Sequence, residues 1–122
     1  MDFAARITRQ PIAVDPDRAQ HVLAQLPPLD PRLSALIAGV AGCSPYLAGL
    51  LQKEAAWLPG ALDHDDVVTR ETAGLEDLSA DDLAVALRRA KRRVALQTAL
   101  ADLGGVWTLE QVTGALSDLA DR

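Results

Sequence analysis

Three helix start signals recur in the first half of the chain, and they constrain its fold more than any other feature. In each signal a capping side chain precedes a proline: Asp15 with Pro16, Asp30 with Pro31, and Ser44 with Pro45. A side-chain oxygen at the N-cap accepts from a free backbone amide, and proline suits the first helical turn because it has no amide to leave unpaired. Apolar residues then follow at helical spacing. The sequence therefore predicts consecutive helices over residues 16–58, the last ended by Pro59-Gly60.

The composition agrees with helices and not with strands. Of the 122 residues 49% are hydrophobic but only 3% are aromatic, and most of the hydrophobic residues are Leu and Ala, which favour helices. β-branched residues, which favour strands, are few. We therefore predict one all-α domain or fragment over residues 1–122, a bundle of about five to six helices. Residues 1–15 form an arm whose conformation stays open.

A long helix is predicted over residues 79–103 and a final helix over residues 108–121. Each begins with the spacing of a capping box: Ser79 with Asp82, and Thr108 with Gln111. Gly104-Gly105 ends the long helix. Its first half is amphipathic, whereas beyond Val94 it is nearly apolar all round. Because such a surface has to be covered, we expect either the final helix or another part of a longer polypeptide to pack over it.

The amphipathic half of the long helix carries five cations within six residues: Arg88, Arg89, Lys91, Arg92 and Arg93. At 100° per residue these side chains spread over the arc opposite the apolar stripe. They are our candidate interaction face. In a chain of net charge −5, such a run either pairs with nearby acids or serves as a binding surface.

An acidic connecting segment precedes this helix over residues 60–78, and we expect a short helix near 63–73 with loop around it. From Asp63 to Asp82 the chain has eight acids against one base, Arg70. Three interpretations of the cationic face stay open: a solvated face partly paired with residues 63–82, a contact with another protein, or a nucleic-acid surface. The negative net charge and the scarcity of aromatics favour the first over the last.

The residues that most often carry chemistry do not form a set in this sequence. His64-Asp65-Asp66 and His21 are interpreted as polar surface, because consecutive or isolated side chains rarely converge on a metal. Cys43 has no partner for an internal disulfide, and we predict a small buried thiol. Trp57 and Trp107 are predicted to anchor loops against the core. No phosphate loop and no nucleophilic set is present, so we expect no catalytic, cofactor-binding or metal-ligating residue here.

Two blocks of sequence, in this order, resemble a known family. The first is Gly42-Cys43-Ser44-Pro45-Tyr46-Leu47-Ala48-Gly49-Leu50-Leu51, followed by Lys53-Glu54 and Trp57-Leu58. The second runs from Leu87 to Leu103 and continues through Trp107-Thr108-Leu109-Glu110-Gln111-Val112-Thr113 and Leu116-Ser117-Asp118-Leu119-Ala120. Over about residues 33–121 the chain resembles the helical part of bacterial glutamine synthetase adenylyltransferase, the bifunctional enzyme that also removes the adenylyl group.

The resemblance implies an N-terminal helical lead-in to the half of that enzyme that removes AMP from glutamine synthetase in nitrogen regulation. In the family a nucleotidyltransferase domain follows, with metal-binding aspartates in a Gly-Ser-x-x-Asp-x-Asp-like motif, and no such motif occurs here. The segment alone is therefore expected to be non-catalytic and without a cofactor, whereas the parent enzyme would use Mg and ATP.

The partners that the resemblance implies are the rest of the parent polypeptide and, through the parent, glutamine synthetase and the PII signal protein. A nucleic-acid partner is not expected. A membrane contact is not expected either, because no apolar run approaches the ~20 residues that span a bilayer. The expected location is cytoplasmic.

Overall fold

The computed structural model describes residues 3–120, and every regular element in that range is helical. The elements in chain order are α1 (Phe3–Arg6), α2 (Pro16–Leu23), α3 (Pro31–Cys43), α4 (Pro45–Lys53), α5 (Leu58–Ala61), α6 (Val67–Thr72), a 3-10 turn (Leu75–Asp77), α7 (Ala80–Leu103) and α8 (Leu109–Ala120). The all-α prediction is confirmed. Of these helices α1, α5 and α6 are short, so five longer helices form the bundle.

The predicted start signals cap the helices as expected. The side-chain oxygen accepts from a backbone amide at Asp15 (from Arg18), Asp30 (from Arg32), Ser44 (from Leu47) and Ser79 (from Asp82). Thr108 and Gln111 exchange two bonds, of 2.8 and 3.2 Å. These bonds join residues two or three positions apart, which is why the local sequence was sufficient to predict them.

The third predicted helix ends earlier than its proline suggested. Helix α4 stops at Lys53, and Pro59 lies in the first turn of α5 instead of ending a helix. A proline is tolerated there because the first amides of a helix have no helical partner. The acidic segment likewise forms a shorter helix than predicted, α6, followed by the 3-10 turn.

The arm packs down across α3 at two glycines. A Cβ on Gly39 would collide with the carbonyl oxygen of Pro11, and a Cβ on Gly42 would collide with the side chain of Ala13. The Asp15 amide donates to the Gly42 carbonyl at 2.9 Å. The glycines thus allow the arm and α3 to approach closely.

Gly39→Ala is expected to lower the free energy of unfolding by about 1–3 kcal/mol, because the new methyl group displaces the arm. Gly49 in α4 is the matched control, since a Cβ there has no neighbour within 4 Å. Gly49→Ala should raise the free energy of unfolding by about 0.5–1 kcal/mol through helix propensity alone. Urea unfolding measures both changes, and a stabilising Gly39→Ala would contradict the close approach.

The C-terminal half of α7 crosses the middle of the core. Buried side chains lie on several of its sides: Leu96, Gln97, Thr98, Leu100 and Ala101. Helices α3, α4, α6 and α8 all contact α7. The prediction that this half is covered is confirmed, and the cover comes from within the chain, with α8 supplying only part of it. None of the described helices is long and apolar enough to cross a membrane.

Candidate interaction site around the long helix

A buried carboxylate organises the cationic run. Glu54 follows α4 directly, and its side chain is only 4% exposed. Its Oε1 accepts from Arg92 Nε at 3.2 Å, and its Oε2 accepts from Arg93 Nε at 2.9 Å. Because both oxygens are bonded to guanidinium groups, the charge of Glu54 is compensated inside the fold.

Arg93 joins three helices at one point. Arg93 Nη1 donates to Glu71 Oε1 in α6 at 3.0 Å. The guanidinium carbon of Arg93 lies 5.0 Å from the centre of the Trp57 ring. Burial alone would lower the pKa of Arg93, but the hydrogen bonds and charges of Glu54 and Glu71 outweigh burial and raise this pKa. Arg93 therefore stays charged while it connects α4, α6 and α7.

The structure divides the five predicted cations into two groups. Arg92 and Arg93 contact Glu54, with side chains 35% and 22% exposed. Arg88, Arg89 and Lys91 are exposed and form no ion pair with any of residues 3–120. At 100° per residue the five side chains span about 200° of the helix circumference, and the unpaired Arg89 lies between Arg92 and Arg93. The two groups are therefore separated along the helix axis, since the paired arginines are the last two of the run. That this face binds a partner stays a prediction.

The sequence interpretation found one acidic partner and missed the other. Glu71 lies in the acidic segment that was expected to pair with the run. Glu54 lies outside that segment, just after α4 and in line with the apolar stripe of that helix, seven residues after Leu47 and three after Leu51. A single acid on an apolar stripe is the signal that would have indicated it, since a buried carboxylate needs a cationic partner.

A second polar cluster forms around Asp65. Its Oδ1 accepts from Arg6 at 3.1 Å and from the indole nitrogen of Trp107 at 3.1 Å. Burial alone would raise the pKa of Asp65, but these two hydrogen bonds and the charge of Arg6 outweigh burial and lower it. Asp65 thus connects α1 to the turn between α7 and α8. From the sequence we interpreted Asp65 only as part of a polar surface, and we did not predict this connecting role.

The structure agrees with the predictions for the histidines and tryptophans but not with the prediction for Cys43. His21 and His64 are exposed, as expected of polar surface. Trp107 is 5% exposed and Trp57 packs against the core, which confirms both as anchors. The prediction that Cys43 is buried is wrong: the thiol is exposed and donates to the Ile12 carbonyl. On that side Cys43 lies against the arm, which has no regular secondary structure near Ile12 and leaves the thiol exposed to solvent.

Acidic, histidine and cysteine side chains do not assemble into a metal site in the described part of the chain. No three of them within residues 3–120 are grouped as a metal ion would require. That the parent enzyme uses Mg and ATP, as the family resemblance implied, stays a prediction.

We expect the Asp65 contacts to stabilise the fold at neutral pH and to lose that contribution in acid. The pKa in the folded state lies below its ordinary value of about 3.9. The stabilisation is therefore complete above that value and is lost as the pH falls through the folded-state pKa. Urea unfolding of the chain and of Asp65→Asn tests this, since their difference should shrink with falling pH. Asp66→Asn is the control for loss of a carboxylate at this position, since Asp66 forms no ion pair with the described residues. A constant Asp65→Asn difference would contradict the assignment.

The region that matches known proteins contains the residues around Glu54 and those around Asp65, except Arg6 in α1. The family model described as glutamate-ammonia ligase adenylyltransferase matches residues 34–122, from within α3 to the last residue. The chain belongs to this family. The family resemblance seen in the sequence is thereby confirmed, and the matched range contains Glu54, Glu71 and the whole cationic run.

Individual members of the adenylyltransferase family are similar over most of this chain. The bifunctional glutamine synthetase adenylyltransferase/adenylyl-removing enzyme of Caulobacter vibrioides is 43% identical over 91 residues, covering 70% of this chain and 9% of that enzyme. The same enzyme of Bradyrhizobium sp. (strain BTAi1) is 34% identical over 141 residues, covering 97% and 14%. That of Rhodopseudomonas palustris (strain TIE-1) is 37% identical over 100 residues, covering 75% and 10%. No solved structure matches.

The chain is short beside its adenylyltransferase relatives. It spans between 9% and 14% of the length of the enzymes just described. Its helices therefore correspond to a small part of those enzymes.

Proposed function

We propose that this chain is the non-catalytic helical lead-in to the adenylyl-removing half of a glutamine synthetase adenylyltransferase. The observation that carries the proposal is the family match over residues 34–122. The names of the relatives join adenylyl transfer and adenylyl removal in one enzyme. In this proposal α7 serves as a rigid base for the catalytic domain, because Glu54 and Glu71 secure it to α4 and α6 through Arg93.

The proposal includes the parent's partners and setting. The segment contacts the rest of the parent polypeptide, and the parent acts on glutamine synthetase under the control of the PII signal protein. Mg and ATP serve the parent's nucleotidyltransferase domains, and the enzyme acts in the cytoplasm. These follow from the family resemblance, and the chemistry takes place outside residues 1–122.

The test uses the full product of the gene and measures both reactions on glutamine synthetase. Arg93→Gln with Leu96→Ala should reduce phosphate-dependent removal of AMP at least about tenfold, a loss equivalent to about 1.4 kcal/mol. Addition of AMP from ATP should change less than about twofold, because its active site lies in the other half. Arg88→Gln with Leu103→Ala is the matched control on the exposed side of α7. Unchanged removal, or loss of addition alone, would contradict the proposal.

A second candidate function is contact with an acidic protein partner through Arg88, Arg89 and Lys91. The observation in its favour is that these three cations are exposed and unpaired among residues 3–120. Arginine suits such contacts through bidentate pairing with carboxylates. Salt-dependent binding of the full gene product to glutamine synthetase, weakened by Arg88→Ala with Arg89→Ala, supports it. Equal weakening of DNA binding at low salt would instead favour the nucleic-acid interpretation.

A further inference from the structure

An open cleft lies between α6 and α8, and none of Glu54, Glu71, Arg92 and Arg93 lines it. Its volume is about 240 Å³. Buried residues form its floor: Val67, Val68 and Trp107. One face of α8 forms its wall: Gln111, Gly114, Ala115 and Asp118. Small-molecule sites occupy about 300–1,000 Å³, so this cleft is better suited to a few side chains of a docked peptide.

Gly114 makes the α8 wall unusually low. It lies in the middle of a 12-residue helix, where glycine costs about 0.5–1 kcal/mol relative to alanine. Gly39 and Gly42 are explained by close contacts inside the chain, but a Cβ on Gly114 would have no neighbour within 4 Å. The space above Gly114 therefore admits the backbone of another segment.

The rim of the cleft is acidic. Asp65, Asp66 and Asp118 line it, and none of its described lining residues is a cation. Asp65 Oδ1 accepts from both Arg6 and Trp107, whereas Oδ2 accepts from neither. Asp66 and Asp118 form no ion pair with the described residues. The apolar floor and the unpaired carboxylates of Asp66 and Asp118 together favour an occupant that is apolar on one side and cationic at its edges.

We propose that the cleft between α6 and α8 docks a basic amphipathic peptide segment. An apolar side chain of the segment lies on Val67 and Trp107, its backbone passes over Gly114, and Lys or Arg side chains reach Asp66 and Asp118. This is helix-in-groove recognition in which the chain supplies the groove. The inference does not depend on the proposed function, because it uses only the geometry and charge of this cleft.

Fluorescence anisotropy with the 122-residue chain tests the proposal. The probe is a labelled amphipathic helical peptide of Leu and Lys, and its counterpart has Glu at every Lys position. The Lys peptide should bind at least about tenfold tighter than the Glu peptide at about 50 mM salt, where screening is weak. Gly114→Met, which fills the cleft, should weaken binding about tenfold. Asp66→Asn with Asp118→Asn should weaken it about fivefold and flatten its dependence on salt.

Two control variants separate the cleft from general attraction to an acidic chain. Gly49→Met makes the same change at another open helical glycine, and Asp17→Asn with Asp102→Asn removes two exposed acids elsewhere. Both should leave binding of the Lys peptide within about twofold. Equal weakening by the controls, or no preference for the Lys peptide, would overturn the proposal. So would a dimer in light scattering that Gly114→Met abolishes, since the cleft would then hold a second copy.

Discussion

Arg93→Gln is expected to lower the free energy of unfolding by about 2–4 kcal/mol, near the lower end of the range for breaking a buried ion pair. The change removes a partner of Glu54, which is 4% exposed, and the only described partner of Glu71. It also removes the cation over the Trp57 ring. Arg92 still pairs with Glu54 Oε1, which keeps the loss below the full cost of an isolated buried charge. Urea unfolding followed by circular dichroism measures the change.

Arg88→Gln is the matched control within the same cationic run. Arg88 is exposed and pairs with no described residue, so its loss should change the free energy of unfolding by less than about 0.5 kcal/mol. A double-mutant cycle of Glu54→Gln and Arg93→Gln should give a coupling above about 1 kcal/mol. Equal effects of the Arg93 and Arg88 changes would show that Glu54 does not discriminate among the cations.

Leu96→Ala is expected to cost about 2–5 kcal/mol, the usual range for a truncated core leucine. Leu96 is fully buried in the half of α7 that the surrounding helices cover. The truncation leaves a cavity that these neighbours fill only in part. Thermal and urea unfolding measure the change, which should be accompanied by an unaltered helix content at low temperature.

Leu103 provides the comparison on the same helix. Its side chain is 40% exposed, so Leu103→Ala removes fewer contacts and should cost less than about 1 kcal/mol. If Leu103→Ala proved as costly as Leu96→Ala, the exposed side of α7 would have to be covered in solution. That result would point to self-association, which light scattering detects.

Local sequence was sufficient to predict most of the helices. The caps at Asp15, Asp30, Ser44 and Ser79 are contacts within three residues, and the periodicity of α7 indicated its length and its covered half. Where local signals were ambiguous the prediction failed. Pro59 is compatible both with ending a helix and with starting one, and the fold uses it in the first turn of α5.

The polar sites depended on partners distant in sequence. Arg93 meets Glu54 across 39 positions, and Asp65 meets Trp107 across 42. Periodicity indicates which arc of a helix a side chain occupies, but it does not indicate what lies opposite. For this reason the cationic run was predicted as one face, although the fold divides it between a buried network and an exposed remainder.

By itself the sequence determined the helical class, most of the helix starts and the family, because all three reside in local patterns and in the order of residues. Only the tertiary structure decided which cations of α7 are structural, why residues 39 and 42 have to be glycines, and where a cleft stays open. These depend on distances between elements far apart in the chain. Packing sets such distances, since a buried charge needs a partner and two backbones in contact leave no room for a side chain.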